Sequence, residues 1–175
     1  MSERSTRLFF ALWPDDKLRE QLDDVTRPLR ELCDGRAVPP DNYHITLEFL
    51  GNVSDELIDA VVEAAGTVNF APFAFSLDRW GCFSGPQVAW YGPSSYPPAL
   101  GNLVRDLRQA LEPCVTLSPE RLYTPHVTAI RKQVQLPELP APRKLVWNAH
   151  EFVLVESIFG PGQAIYKVRN VFPSS

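Results

Sequence analysis

The chain has 175 residues, 45% of them apolar and 22% charged, enough to bury one compact core and to exclude a disordered tail or peptide-sized scaffold. Seventeen Lys and Arg against 21 Asp and Glu give a net charge of −4, which argues against broad coating of a nucleic-acid duplex but leaves room for a local phosphate pocket. Cys33, Cys82 and Cys114 form no CxxC pair or disulfide framework, no apolar run reaches the ~18 residues of a membrane span, and no secretory leader is visible, so the chain reads as a soluble, cytoplasmic protein with reduced thiols.

Short strands and helices alternate along the sequence. Arg7 to Trp13 is a near-continuous apolar run and predicts a buried strand; Pro14 and Asp15 open a helix to about Cys33, interrupted at Pro28. Tyr43 to Leu50 is β-branched and aromatic, and reads as a strand ended by Gly51-Asn52. Ser54 is placed to cap a helix that shows Leu57, Ile58, Val61, Val62 and Ala65 on one face and stops at Gly66. Residues 73–77, 79–83 and 87–91 read as successive strands. After Pro97-Pro98, Leu100, Leu103, Val104, Leu107 and Leu111 repeat with helical period up to Pro113. His126 to Ile130 is strand-like, and beyond a proline-rich connection three more strands are expected at 145–149, 151–159 and 164–169.

The two halves resemble one another. Each runs strand, helix, strand, and the second strand carries His44-Ile45-Thr46 in one half and His126-Val127-Thr128 in the other. The histidines are 126 − 44 = 82 residues apart, and Trp13-Pro14 aligns with Gly92-Pro93 at 93 − 14 = 79. Units of this size are too small to bury separate cores, so they are expected to pack as pseudo-symmetric lobes of a single domain spanning 1–175.

Two of only three histidines thus stand in His-x-Thr on apolar strands, in a chain with seven threonines. Residues i and i+2 of a strand share a face, so each motif presents an imidazole beside a hydroxyl, with Ile45 or Val127 turned to the core. Displacement at a phosphodiester needs a base on the attacking oxygen, an acid on the leaving oxygen, and donors to the non-bridging oxygens. Two imidazoles titrating near neutrality supply the first two and two threonine hydroxyls the third. The residues alone leave open which histidine is acid and which is base. No ligand cluster with metal spacing accompanies them. His150, followed by Phe152 at i+2, reads as a surface or turn residue.

Asn42 to Gly51 and Thr124 to Arg131 resemble the paired HxT motifs of the two-histidine phosphoesterase superfamily, specifically its LigT-like RNA 2′,3′-cyclic phosphodiesterases, also described as 2′-5′ RNA ligases. Arg7 to Leu12 and Ser157 to Tyr166 are similar to that family's ends, so the resemblance spans the chain. It implies hydrolysis of a 2′,3′-cyclic phosphate on an RNA end or small nucleotide to a 2′-phosphomonoester, without cofactor or metal. It also implies His126 as the proton acceptor, His44 as the proton donor, and Thr46, Thr128 and Arg131 as phosphate-binding residues. Arg131 lies at an odd offset from His126, so the strand must end or bulge before it. Tyr43, Tyr123 and Tyr166, with Trp90, stand near the motifs as candidates for base stacking, although strands also favour aromatics for packing.

The expected fold is α+β, a monomer of two pseudo-symmetric lobes, each an antiparallel sheet backed by helices, with the site in the central cleft. The competing readings are 2′-5′ ligation, another cyclic nucleotide as substrate, a chelator-sensitive metal hydrolase, and a non-catalytic module that grips RNA ends.

Overall fold

The computed structural model describes residues 3–175. In chain order the elements are β1 (Ser5–Leu12), α1 (Asp16–Val25), α2 (Arg27–Leu32), β2 (Arg36–Ala37), β3 (Ile45–Ser54), α3 (Ile58–Gly66), β4 (Phe73–Leu77), β5 (Arg79–Phe83), β6 (Val88–Gly92), α4 (Pro98–Leu111), β7 (Val127–Arg131), β8 (Leu145–Ala149), β9 (Glu151–Gly160) and β10 (Gln163–Pro173). The α+β expectation holds. Two four-stranded antiparallel sheets, ordered β10-β9-β1-β3 and β2-β7-β6-β5, are joined by a two-stranded pair of β4 and β8. No helix among the described residues is long and apolar enough to cross a membrane.

Local chemistry sets the element ends. The Asp15 carboxylate accepts a hydrogen bond from the Leu18 amide at 2.8 Å and starts α1. The helix expected to run on to Cys33 breaks at Thr26, and Pro28 falls in the first turn of α2, where its missing N–H is not needed. The helix expected from Ser54 begins instead as a 3₁₀ turn at Asp55–Leu57. Ser54 caps nothing, and Asp55 accepts from the Thr6 hydroxyl at 2.7 Å. Gly51 does not end β3. It takes a φ of +71° beside an unpaired Leu50, and the strand continues against β1 to Ser54.

The duplication extends to the register of individual residues. In the first sheet Leu12, Ala11, Phe10 and Phe9 pair with Ile45, Thr46, Glu48 and Phe49. In the second, Tyr91, Trp90, Ala89 and Val88 pair with Val127, Thr128, Ile130 and Arg131. The offsets, 90 − 11 = 79 and 128 − 46 = 82, are those read from the sequence, and in both ladders one residue directly after the motif threonine, Leu47 or Ala129, is left unpaired as a bulge.

Each sheet is backed by helices, and two of the helices are exchanged between the halves. The α2 segment, between β1 and β3, packs on the second sheet, where Leu29 is buried with Ala89, Ala129 and Ile130. The α4 helix, between β6 and β7, packs on β3, where Arg108 Nη1 meets the Glu48 carboxylate at 2.9 Å. The main core spans both halves, with Phe10, Leu12, Ile45 and Leu47 packed together with Leu22, Tyr91, Leu103, Leu107 and Val127. The exchange follows from size: neither half has enough apolar surface to seal its sheet alone.

The Glu48–Arg108 pair is nearly enclosed, and burial pushes the Glu48 carboxyl up against the opposing pull of the guanidinium. Removing one partner leaves a buried charge uncompensated. Arg108→Ala is therefore expected to lower stability by about 3 kcal/mol, read as a lower urea midpoint at unchanged m. Replacing both residues by leucine is expected to recover most of that loss.

Candidate active site

His44 and His126 each stand one residue before a strand, β3 or β7, and each is tied down in the same way. Nδ1 of His44 donates to the Asn42 carbonyl and Nδ1 of His126 to the Thr124 carbonyl, both at 2.7 Å. With Nδ1 carrying the proton, Nε2 of the neutral ring holds a lone pair. At His44 that lone pair accepts from the Thr46 hydroxyl at 3.1 Å. At His126, Nε2 has no hydrogen-bond partner among the described residues. Ile45 and Val127 are fully buried between each histidine and its threonine, as strand alternation requires.

Aromatic rings enclose both imidazoles. Trp13 stacks on His44 at 5.5 Å and 12°, Phe9 lies at 4.8 Å, and Tyr166 meets it edge-on at 5.3 Å. His126 meets Phe83 edge-on at 5.0 Å and lies 5.7 Å from Trp90. Burial pushes His44 down to about 4; the Asn42 carbonyl opposes this, while the charges of His126 and Arg131 add to it. His126 is also pushed down by burial, against the Thr124 carbonyl.

A cavity of about 600 Å³ opens between the sheets. From the first sheet it is lined by Arg7, Phe9, Thr46, Phe49, Ser157, Phe159 and Tyr166, with His44 at the strand entrance; from the second it receives Thr128, Arg131 and Arg36. His126 lies outside this lining, in its aromatic niche. The lining contains three arginines and no Asp or Glu, in a chain of net charge −4. An anion is therefore attracted here despite the overall negative charge. Arg36 donates to the Gly162 carbonyl and the Asn42 amide to the Ala164 carbonyl, both at 2.9 Å, so the turn joining β9 to β10 is tethered across the cleft.

The bulge at Ala129 resolves the odd offset of Arg131. Inserting one unpaired residue turns Ala129 and Ile130 both inward and returns Arg131 to the face of Thr128. The bulge at Leu47 does the same for Phe49, the counterpart of Arg131 at the same offset.

The stacking candidates divide. Tyr166 lines the cavity. Tyr43 does not: adjacent to His44 on extended backbone, it faces the core, fully buried, with its hydroxyl beside Thr26 and Arg30. Tyr123 is turned the same way, packed on the core and donating from its hydroxyl to the Thr46 carbonyl at 2.8 Å, which braces the first motif from the loop before the second. Trp90 is buried under His126. His150 is exposed between β8 and β9, and the three cysteines are free and half-buried. Arg7, Trp13, Arg36, Phe49 and Phe159 were not singled out from the sequence. Phe49 was recoverable, since the 82-residue offset maps it onto Arg131.

Paired imidazoles, paired hydroxyls and an arginine-lined wall are the equipment of a phosphoesterase. Comparison with known proteins agrees: a family model for LigT-like phosphoesterases matches residues 12–90. An RNA 2′,3′-cyclic phosphodiesterase of Archaeoglobus fulgidus is 32% identical, covering 95% of this chain and 99% of its own length. The protein of that name from Escherichia coli is 32% identical over 91% of this chain and 92% of its own. The crystal structure of E. coli LigT complexed with 3′-AMP superposes with a TM-score of 0.88 at 30% identity, covering 98% of this chain and 99% of that one. The TT0787 structure of Thermus thermophilus gives 0.81 at 25% identity, covering 95% and 97%. The chain belongs to the LigT-like phosphoesterase family.

The depressed His44 makes fold stability depend on pH. The unfolded chain takes up this proton near 6.5 and the folded one only near 4, so the native state is fully favoured above about 6.5 and loses ground as pH falls towards 4. A urea midpoint that falls through this window, and falls less in His44→Gln, is the expected result.

Proposed function

We propose that the cleft opens the 2′,3′-cyclic phosphate of an RNA end with water and leaves a 2′-phosphomonoester. The observation that carries this is the pair of His-x-Thr strands, matched in register and bulge, bordering one cavity walled by arginines and free of carboxylates. The names of the relatives, RNA 2′,3′-cyclic phosphodiesterases over most of the chain, support the same substrate class.

In this reading His126 is the base. Its Nε2 lone pair, free of protein partners among the described residues, takes a proton from water as the water oxygen bonds to phosphorus. The bond from phosphorus to O3′ breaks on the opposite side, and His44 delivers a proton from Nε2 to O3′. One proton is gained by His126 and one lost by His44, and exchange with solvent resets both.

For this, His44 must bind a proton that burial otherwise denies it. The negative phosphate supplies the compensating charge, and the Asn42 carbonyl stabilises the cation through Nδ1–H. Protonation of Nε2 releases the Thr46 hydroxyl, which then turns to a non-bridging oxygen. Thr128 and Arg131 serve the oxygens from the second sheet. Charging of the acid is thereby linked to arrival of the anion.

The test is hydrolysis of a short RNA bearing a 2′,3′-cyclic phosphate, in the presence of chelator, with product analysis. His44→Ala and His126→Ala are each expected to lower kcat by about 10²–10⁴-fold with the fold retained by circular dichroism. Full turnover in either variant, or loss of parent activity in chelator, rejects the mechanism.

A further inference from the structure

The cavity that holds the motif threonines is also lined by side chains that the proton transfers proposed above do not employ. Arg7 of β1 lies over two rings, with its guanidinium carbon 4.8 Å from the Phe49 centroid and 5.5 Å from that of Phe159. All three line the cavity, and the two rings are 44% and 75% exposed. Exposure of that degree is costly for phenylalanine unless something covers it. Arg7 forms no ion pair among the described residues.

The geometry of the trio suggests what it holds. A guanidinium flanked by aromatic rings has its faces occupied by cation–π contact, while its N–H donors, which lie in the plane, stay free along the edge. That is a fork held ready for a phosphate, with its side-chain entropy already spent. Beside it, Phe159 offers an open face of the kind on which a base stacks. Phe49 sits three residues beyond Thr46 on β3, a separation of at most ~10 Å along an extended chain. That distance is within the reach of a neighbouring nucleotide of a single strand.

We propose that Arg7, Phe49 and Phe159 form a subsite for the nucleotide on the 5′ side of the terminal one, with Arg7 holding the phosphodiester that joins the two and Phe159 stacking the base. The subsite rests on the functional reading above and deepens it: the substrate is the end of an RNA strand, and a mononucleotide uses only part of the cleft. Arg7 and the two rings act as specificity determinants and take no part in the bond changes.

The experiment compares kcat/KM for a nucleoside 2′,3′-cyclic phosphate with that for a dinucleotide carrying the same terminus, in the parent, Phe159→Ala and Arg7→Gln. The parent is expected to prefer the dinucleotide. Phe159→Ala is expected to cost the dinucleotide about tenfold more than the mononucleotide, the scale of one lost base stack. Arg7→Gln is expected to flatten the log–log salt dependence for the dinucleotide by about 0.7, the signature of one single-strand phosphate contact. A purely structural arginine leaves that slope unchanged. A parent without length preference, or variants that weaken both substrates equally, overturns the subsite. Should the parent hydrolyse neither substrate, the catalytic reading fails alone. The subsite is then read from calorimetric binding of a dinucleotide 3′-phosphate against a mononucleotide 3′-phosphate: preference lost in Phe159→Ala upholds it, and equal affinity overturns it.

Discussion

The site depends on one unpaired residue in each ladder. Strand alternation puts every second side chain on one face, so a histidine and the residue five places later belong on opposite sides of a regular strand. The unpaired Leu47 and Ala129 each shift that alternation by one. Thr46 and Thr128, and then Phe49 and Arg131, come to the cleft, with His44 beside them, while two consecutive residues, Leu47 and Glu48 or Ala129 and Ile130, turn inward. The lost ladder hydrogen bonding is offset by burial of that extra inward side chain and, at Glu48, by the ion pair to Arg108.

The exchanged helices hold the two bulged ladders in a fixed relation. The α4 helix grips β3 through Arg108, α2 seals the second sheet through Leu29, and Tyr123 bonds from the approach to one motif to the backbone of the other. The proposed catalysis by two groups on different strands needs such bracing, since small displacements of an acid or base are costly in rate. The imidazoles are further restrained by their carbonyl bonds and ring contacts. The same enclosure depresses their basicity, so positional order and proton affinity trade against each other in one cleft.

Much of this was visible in the sequence because it is carried by short-range pattern. The motif spacing, the two offsets and the helical repeat from Leu100 to Leu111 are local, and they reappear as strand register and a buried face. The conflict at Arg131 even pointed to a bulge. Other features were hidden for definite reasons. Two-residue β2 is too short to leave a periodic trace and exists because β7 offers it an edge. Tyr123 sits in a stretch without regular structure before β7, so nothing fixed its direction. Alternation beside His44 already turns Tyr43 inward, away from the base-stacking position expected of it. Arg7 meets Phe49 and Phe159 only through pairing of β1 with both β3 and β9, which local pattern does not encode.

The crossing of helices between the sheets also bears on how such a chain can arise and be taken apart. A polypeptide cut between the duplicated halves divides both sheets, parting β1 and β3 from β9 and β10 and β2 from β7, and takes α2 and α4 away from the strands they cover. An ancestor of one half's length would find the missing cover only in a second copy of itself, as an intertwined dimer. Fusing two such copies would make that pairing permanent and let equivalent positions differ, as Phe49 and Arg131 do.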